Sequence, residues 1–227
     1  MPRVPRHRRR VLAEGLVIVV SILLAFALDA WWDLSRQKQE MSEVLGALDA
    51  EFSEVQVELD MIEGRNQDVI AAADAILNQL RSGDGGVPTA LLGDLLRVPT
   101  TSSAQGALAA LIASGRLDLV QSRELQTLLA GWSSVLQDVQ EDEAAAERFV
   151  YGELLPYLTE VAPVGPALSL RVGGDPDGVV EIPTTDRMIN LVETRRFHAV
   201  NVLYERDRLH VSQVVDRIRL GLRPQEN

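Results

Sequence analysis

Cysteine is absent from the 227-residue chain, so disulfides, zinc–thiolate sites, iron–sulfur clusters and thiol nucleophiles are excluded. Histidine is scarce. His7, His198 and His210 are the only three, which leaves little for general-base catalysis or transition-metal binding. Aromatic residues make up 4% of the chain, few for a pocket that grips a small molecule. Lysine occurs once, at Lys38, so 21 of the 22 basic residues are arginine. With the abundance of alanine, this bias reads as a high-GC bacterial coding sequence. Positive charge is in deficit, with 22 Lys+Arg against 33 Asp+Glu and a net charge of -11. Nucleic acid is therefore not an expected partner, because phosphate binding needs a basic footprint. The length suits one domain or two small ones with a buried core.

What is present begins with an N-terminus of membrane type. Residues 1–10, MPRVPRHRRR, carry five arginines and no acid. Val11 to Trp32 is apolar apart from Glu14, Ser21 and Asp29, and Gly15 to Leu28 is its core. Spanning hydrocarbon takes roughly 20 helical residues. The segment reaches that length when Glu14 and Asp29 lie at the two interfaces. Arg10 precedes Glu14 by four residues, a helical ion-pair spacing. Trp31 and Trp32 fall at the far interface, where amphipathic rings are favoured. Arg8, Arg9 and Arg10 hold the tail in the cytoplasm by the positive-inside rule, which places residues 34–227 outside a bacterial inner membrane. The rival reading is a signal peptide cleaved after Ala27, since the basic start, the run Leu16–Leu24 and Ala25-Phe26-Ala27 fit that template. The lack of a helix breaker after the run favours the uncleaved anchor. Residues 34–227 carry 17 basic and 30 acidic residues, so this part is expected to stand off anionic lipid.

From Leu34 to Leu80 there is no proline, and the glycines are Gly46 and Gly64. Met41, Leu45, Leu48, Phe52, Val55, Leu59, Ile62, Asn66, Val69, Ala73, Ile76 and Leu80 alternate at spacings of four and three, with Asn66 the one polar member. That pattern predicts a helix of roughly 70 Å with a packing seam, stopped in Ser82-Gly83-Asp84-Gly85-Gly86. A parallel homodimer would set Glu58 against Glu63 of its copy, with Asp49 and Glu51 adding negative charge. An intramolecular partner is available in the closing helix, about Arg195 to Leu222. It carries Phe197, Val200, Tyr204, Val211, Val214 and Ile218 at three-four spacing and six arginines at polar positions. A basic helix antiparallel to an acidic one satisfies both pattern and charge. In that register Asn66 is expected to pair with Asp207, the polar break in the closing stripe.

Between these two helices, Pro88 is expected to open a short helix through Leu96. Pro99–Ser103 reads as a loop, and about Ala104 to Ala113 as an alanine-rich helix ended by Gly115. Ser122 is placed to cap a long helix from Arg123 to about Leu158. Its run Glu141-Asp142-Glu143 reads as a solvated face. Residues 162–183 are rich in proline and glycine, and Ala167–Val172 with Val179–Ile182 fit a small hairpin. Asp175 and Asp177 hint at calcium, but the EF-hand ligand pattern is incomplete and a plain turn is the better reading. Thr185 or Asp186 is expected to cap a short helix before the last one. His198 and His210 lie on one helix about 18 Å apart along its axis, too far to share a metal or substrate atom. No G-x-S-x-G, P-loop or dinucleotide fingerprint occurs.

Three segments resemble a family of uncharacterised bacterial single-pass membrane proteins, a domain of unknown function. The first runs from Glu14 through Asp29-Ala-Trp31 and matches its membrane helix. The second, Ala109 to Leu125 with Ser114-Gly115-Arg-Leu-Asp-Leu-Val120, is similar to an "SG-x-L-x-L-I…EL" stretch, and Trp132 stands where tyrosines are usual. The third is the closing helix from Phe197 onward, a looser match. The resemblance implies an uncleaved anchor and a helical body, and it implies no activity.

These readings predict an all-α fold, in which an N-terminal transmembrane helix continues into a long helix packed in an antiparallel helical bundle with a small β-hairpin insertion. The divisions are a basic cytoplasmic tail at 1–10, an anchor at 11–33, an extracytoplasmic bundle at 34–222 and a tail at 223–227. The expected role is protein–protein contact, as scaffold or accessory subunit, with other envelope proteins or with itself. No catalytic residue, cofactor or metal is expected. A ligand-sensing bundle that signals through a partner, a secreted periplasmic binding protein and a carboxylate hydrolase are the rivals.

Overall fold

The computed structural model describes residues 6–102, 105–120, 122–174 and 177–223; the side chains of residues 6–18, Leu119 and Arg171 lie outside that description. The chain is mostly helical. It runs α1 (Arg6–Arg81), β1 (Gly86–Pro88), α2 (Thr89–Leu95), α3 (Gly106–Ala113), α4 (Arg123–Phe149), a π-turn (Val150–Leu154), α5 (Leu155–Val161), α6 (Gly165–Ser169), β2 (Val179–Glu181), α7 (Asp186–Arg208) and α8 (Val211–Leu222). It divides into two compact units, residues 1–47 and 48–227.

The first unit is the N-terminal part of α1. Its apolar side chains from Val19 to Leu34 are exposed, with Trp31 and Trp32 at 64% and 66%. Among the described residues no helix is long and apolar enough to cross a membrane. The run predicted as an anchor starts at Val11, and residues 11–18 belong to the part of α1 whose side chains are not described.

In the second unit, α1 presents its 4-3 seam to the other helices. Every seam position from Leu48 to Leu80 is buried, Asn66 included. Phe52 meets Trp132 of α4 edge to face, centroids 5.5 Å apart, an arrangement that adds to the area both rings bury. The partner of α1 is within the chain. Arg81–Glu193 and Arg196–Asp74, both at 2.6 Å, and the bond from Arg206 Nη2 to the Leu59 carbonyl at 2.9 Å descend α1 as they ascend α7. The two helices are therefore antiparallel.

Local signals set the boundaries. Gly115 takes φ 67°, a left-handed conformation that ends α3 at little cost only without a Cβ. Ser122 caps α4 by accepting from Leu125 N, and Thr185 caps α7 by accepting from Met188 N. Pro88 is the residue before α2 rather than its first residue.

Four expectations need correction. The hairpin does not form. Residues 165–172 are helical, and Val179–Glu181 pairs antiparallel with Gly86–Pro88 instead, in the register Val87 to Val180. The long-range pair buries Val87 and Val180 in the main core, which a local hairpin over exposed Val172 would not do. The helix after Ser122 is not uniform. It widens into a π-turn before Pro156, because proline lacks an N–H and its ring clashes with the carbonyl four residues back. The closing helix starts earlier, at Asp186, and breaks at Leu209-His210. The acidic run is not a solvated face throughout, since Glu143 is 2% exposed and Asp142 accepts from Asn201 at 3.0 Å.

Candidate functional site

α7 faces the core with Met188, Val192, Arg195, Ala199, Val202 and Arg206, all buried. Their spacing is as regular as that of α1, but two of the six are arginines. Phe197, Val200 and Tyr204, expected to pack inward, lie on the opposite side and are 62%, 39% and 61% exposed. The inward turn of the arginines goes with backbone acceptors, two for Arg195 and one for Arg206.

Arg195 is fully buried. Its Nε donates to the Leu95 carbonyl at 3.1 Å and its Nη2 to the Arg97 carbonyl at 2.6 Å. The Leu95 carbonyl ends α2, where the last turn leaves acceptors unpaired and the helix dipole favours a cation, and the Arg97 carbonyl lies two residues beyond. Burial pulls the guanidinium down to about 10, and among the described residues no carboxylate pairs with it. Arg206 is the second such cation, and burial lowers it as well, against opposing pulls from Glu63, Glu143 and Asp60.

Glutamates do the converse work for Thr101, Ser102 and the first turn of α3. Glu143 accepts from Thr101 N at 2.7 Å and from Thr101 Oγ1 at 2.6 Å. Glu58 accepts from the N–H and hydroxyl of Ser102, both at 2.7 Å. Glu51 accepts from Ala107 N at 2.6 Å and Leu108 N at 3.2 Å, and so supplies from α1 the cap that Gln105 does not give α3. Desolvation raises the Glu143 carboxyl above its usual range, and its bonds to Thr101 oppose that rise.

Where α4 widens into the π-turn, an open cleft of about 740 Å³ lies between it and α7. Arg148, Glu153, Arg187, Asn190, Thr194 and His198 supply its polar walls. The His198 ring rests on Phe149, centroids 5.2 Å apart, and the Arg187 guanidinium lies 4.3 Å over the Tyr157 ring. Desolvation and then the charge of Arg195 lower His198, so the imidazole is neutral near pH 7. No hydroxyl or carboxylate is hydrogen-bonded to that imidazole among the described residues, so no nucleophile–base pair is assembled. Among the described residues no group of three or more His, Asp or Glu side chains is arranged to hold a metal ion. The cleft sets Arg148, Arg187 and Glu153 beside the flat His198 ring.

The residues singled out from sequence fall as follows. Arg8, Arg9, Arg10 and Glu14 lie where side chains are not described. Asp29, Trp31 and Trp32 are exposed on the N-terminal part of α1. Leu45 is half-buried, and Phe52, Leu59 and Asn66 are buried. The expected pair of Asn66 with Asp207 does not form. Asn66 Nδ2 donates to the Ile62 carbonyl one turn back at 3.1 Å, and Asp207 is exposed. Arg206, one residue earlier, is the side chain that reaches α1. Asp175 and the end of the predicted tail, residues 224–227, lie outside the described residues. Sequence reasoning missed Arg195, Arg206 and Glu143. The available signal was the three-four spacing of both arginines with Met188, Val192, Ala199 and Val202. No protein-family model matches the chain, and no curated protein and no solved structure matches it either.

Proposed function

We propose that this chain is a bacterial inner-membrane protein, anchored through residues 11–33, whose helical body outside the cytoplasm acts by contact with other proteins. The observation that carries the reading is the uncovered apolar surface of α1 from Val19 to Leu34, ending in two exposed tryptophans. Large apolar side chains exposed along a run that only Ser21, Asp29 and Asp33 interrupt are costly in water and favourable in a bilayer with interfacial rings. The resemblance to single-pass membrane proteins and the five arginines preceding the run point the same way. α1 passes through Ala27 without a break, which supports an uncleaved segment. For the contact role, Phe197, Val200 and Tyr204 form an exposed apolar stripe on a helix otherwise bonded on both flanks.

The absence of natural cysteine makes the test clean. Exposed Asp68→Cys in the full chain should be labelled by a membrane-impermeant maleimide added to spheroplasts, and the protein should stay in the pellet after alkaline carbonate extraction. Release by carbonate with a mass beginning after Ala27 would instead identify a secreted protein. A ligand-sensing bundle is the second reading, supported by the cleft beside the π-turn, since such turns interrupt helices at functional sites. Thermal shift of the purified chain against metabolite pools separates the two, because a ligand that binds only the folded form raises the melting temperature.

A further inference from the structure

The cleft beside the π-turn has two chemically different ends. At one, the His198 ring lies on Phe149 with centroids 5.2 Å apart, and the exposed Phe197 meets it edge to face at 5.9 Å. At the other, the Arg187 guanidinium lies 4.3 Å over the ring of Tyr157, which is 8% exposed. Phe149 precedes the π-turn and Tyr157 follows it, so these two contacts to α7 frame the cleft. His198 and Arg187 are eleven residues apart on α7, roughly 16 Å along its axis.

The Arg187 end suits an anion. A guanidinium stacked flat on a ring keeps its edge N–H groups for another acceptor. Among the described residues Arg187 makes no ion pair, and the side-chain amide of Asn190, one turn along α7, makes no hydrogen bond. Arg148 and Arg187 outnumber Glu153 in the lining, although the chain as a whole is acidic. Arg187 and Asn190 are exposed, so a ligand reaches them without disturbing the core. The His198 end is flat and apolar. Its imidazole is half-buried and neutral near pH 7, and Phe149 beneath it is buried. The volume of about 740 Å³ falls in the range of small-molecule sites, about 300–1,000 Å³.

We propose that this cleft binds an elongated organic anion, with its carboxylate on Arg187 and Asn190 and an aromatic ring at its far end on His198 and Phe149. The site deepens the ligand-sensing reading above and rests on it. Isothermal titration of the full chain, with the same detergent concentration in cell and syringe, compares ω-phenylhexanoate with ω-phenylhexanol, hexanoate and phenylacetate. The last three lack the charge, the ring and the length in turn. Phenylhexanoate should bind saturably and at least ~10-fold more tightly than each of them, the scale of one charge-assisted hydrogen bond or one ring contact. Arg187→Gln, an exposed change, should lower its affinity to that of the alcohol and leave the alcohol unaltered. His198→Ala should weaken acid and alcohol by a similar factor. Absence of saturable phenylhexanoate binding would overturn the proposal, as would equal binding of acid and alcohol or unaltered binding by either variant. The sensing reading would then be carried by thermal shift alone, where a metabolite of another class raises the melting temperature of wild type and Arg187→Gln alike.

Discussion

α1 and α7 lie antiparallel in the same bundle, yet they bury different chemistry. From Leu48 to Leu80, α1 buries apolar residues and one asparagine, and it leaves its carboxylates at the flanks. α7 buries two arginines and leaves a phenylalanine and a tyrosine in solvent. Hydrophobic periodicity orients a helix when the core asks only for apolar area. It fails when backbone acceptors inside the core outweigh that area. Here the carbonyls of Leu95, Arg97 and Leu59 are such acceptors, and each receives an arginine N–H from α7. The comparison teaches that an arginine at a core spacing can be a capping group for a distant helix end.

Truncation on α1 should have the largest effect. Phe52→Ala removes the ring packed on Trp132 and should cost about 3–5 kcal/mol in urea unfolding of the full chain in detergent. Next comes Arg195→Ala, expected to cost about 2–4 kcal/mol because it leaves the buried Leu95 carbonyl and the partly buried Arg97 carbonyl without their donor. Arg195→Met should recover part of that loss by restoring volume, whereas Arg206→Met, which gives up a single bond, should stay within about 1 kcal/mol of wild type. Equal losses for the two methionine variants would show that α2 capping is not what distinguishes them. Glu143→Ala should cost about 1–3 kcal/mol by orphaning Thr101 N, read by faster amide exchange at Thr101 and Ser102.

Acidification sharpens the contrast, because His198 of α7 and Glu143 of α4 act with opposite sign. The folded pKa of His198 is lowered, so the unfolded chain binds its proton first, and this residue makes stability fall as pH drops below about 6.5. The folded pKa of Glu143 is raised, so the native state binds that proton first. Its burial penalty is present above the raised value and is relieved as pH falls through it towards 4.5. His198→Gln should therefore flatten the stability profile between pH 7 and the folded pKa of His198. An unchanged slope would show that the ring is not desolvated. The smallest effect belongs to the α7 stripe, where Phe197→Ala should lie within about 0.5 kcal/mol of wild type. A loss as large as that of Phe52→Ala would mean that the stripe is covered and α7 is turned the other way.

Legibility followed the range of the interactions. The α1 seam, the caps at Ser122 and Thr185 and the stop at Gly115 are local and could be read from spacing and residue type. The π-turn was half-legible, since Pro156 sits within a strongly periodic helix without saying whether that helix breaks or widens. The α7–α8 break was hidden because His210 is not a residue that announces a left-handed turn. The strand at Val179–Glu181 was recognisable as extended, but its partner 93 residues earlier in the chain was not.

For the candidate sites, sequence alone singled out Asp207 and set Arg206 among the polar positions of a helix, for reasons that did not survive. What the sequence by itself determined is the helical class, the acidic body, the exclusion of thiol chemistry and the apolar N-terminal run, all of which depend on composition and short-range periodicity. Tertiary structure decided which face of α7 turns inward and which glutamates bind the N–H groups of Thr101, Ser102 and the start of α3. Those outcomes depend on acceptors and donors that approach only after the chain has folded, because a buried polar group is stable only where its partner is already in place.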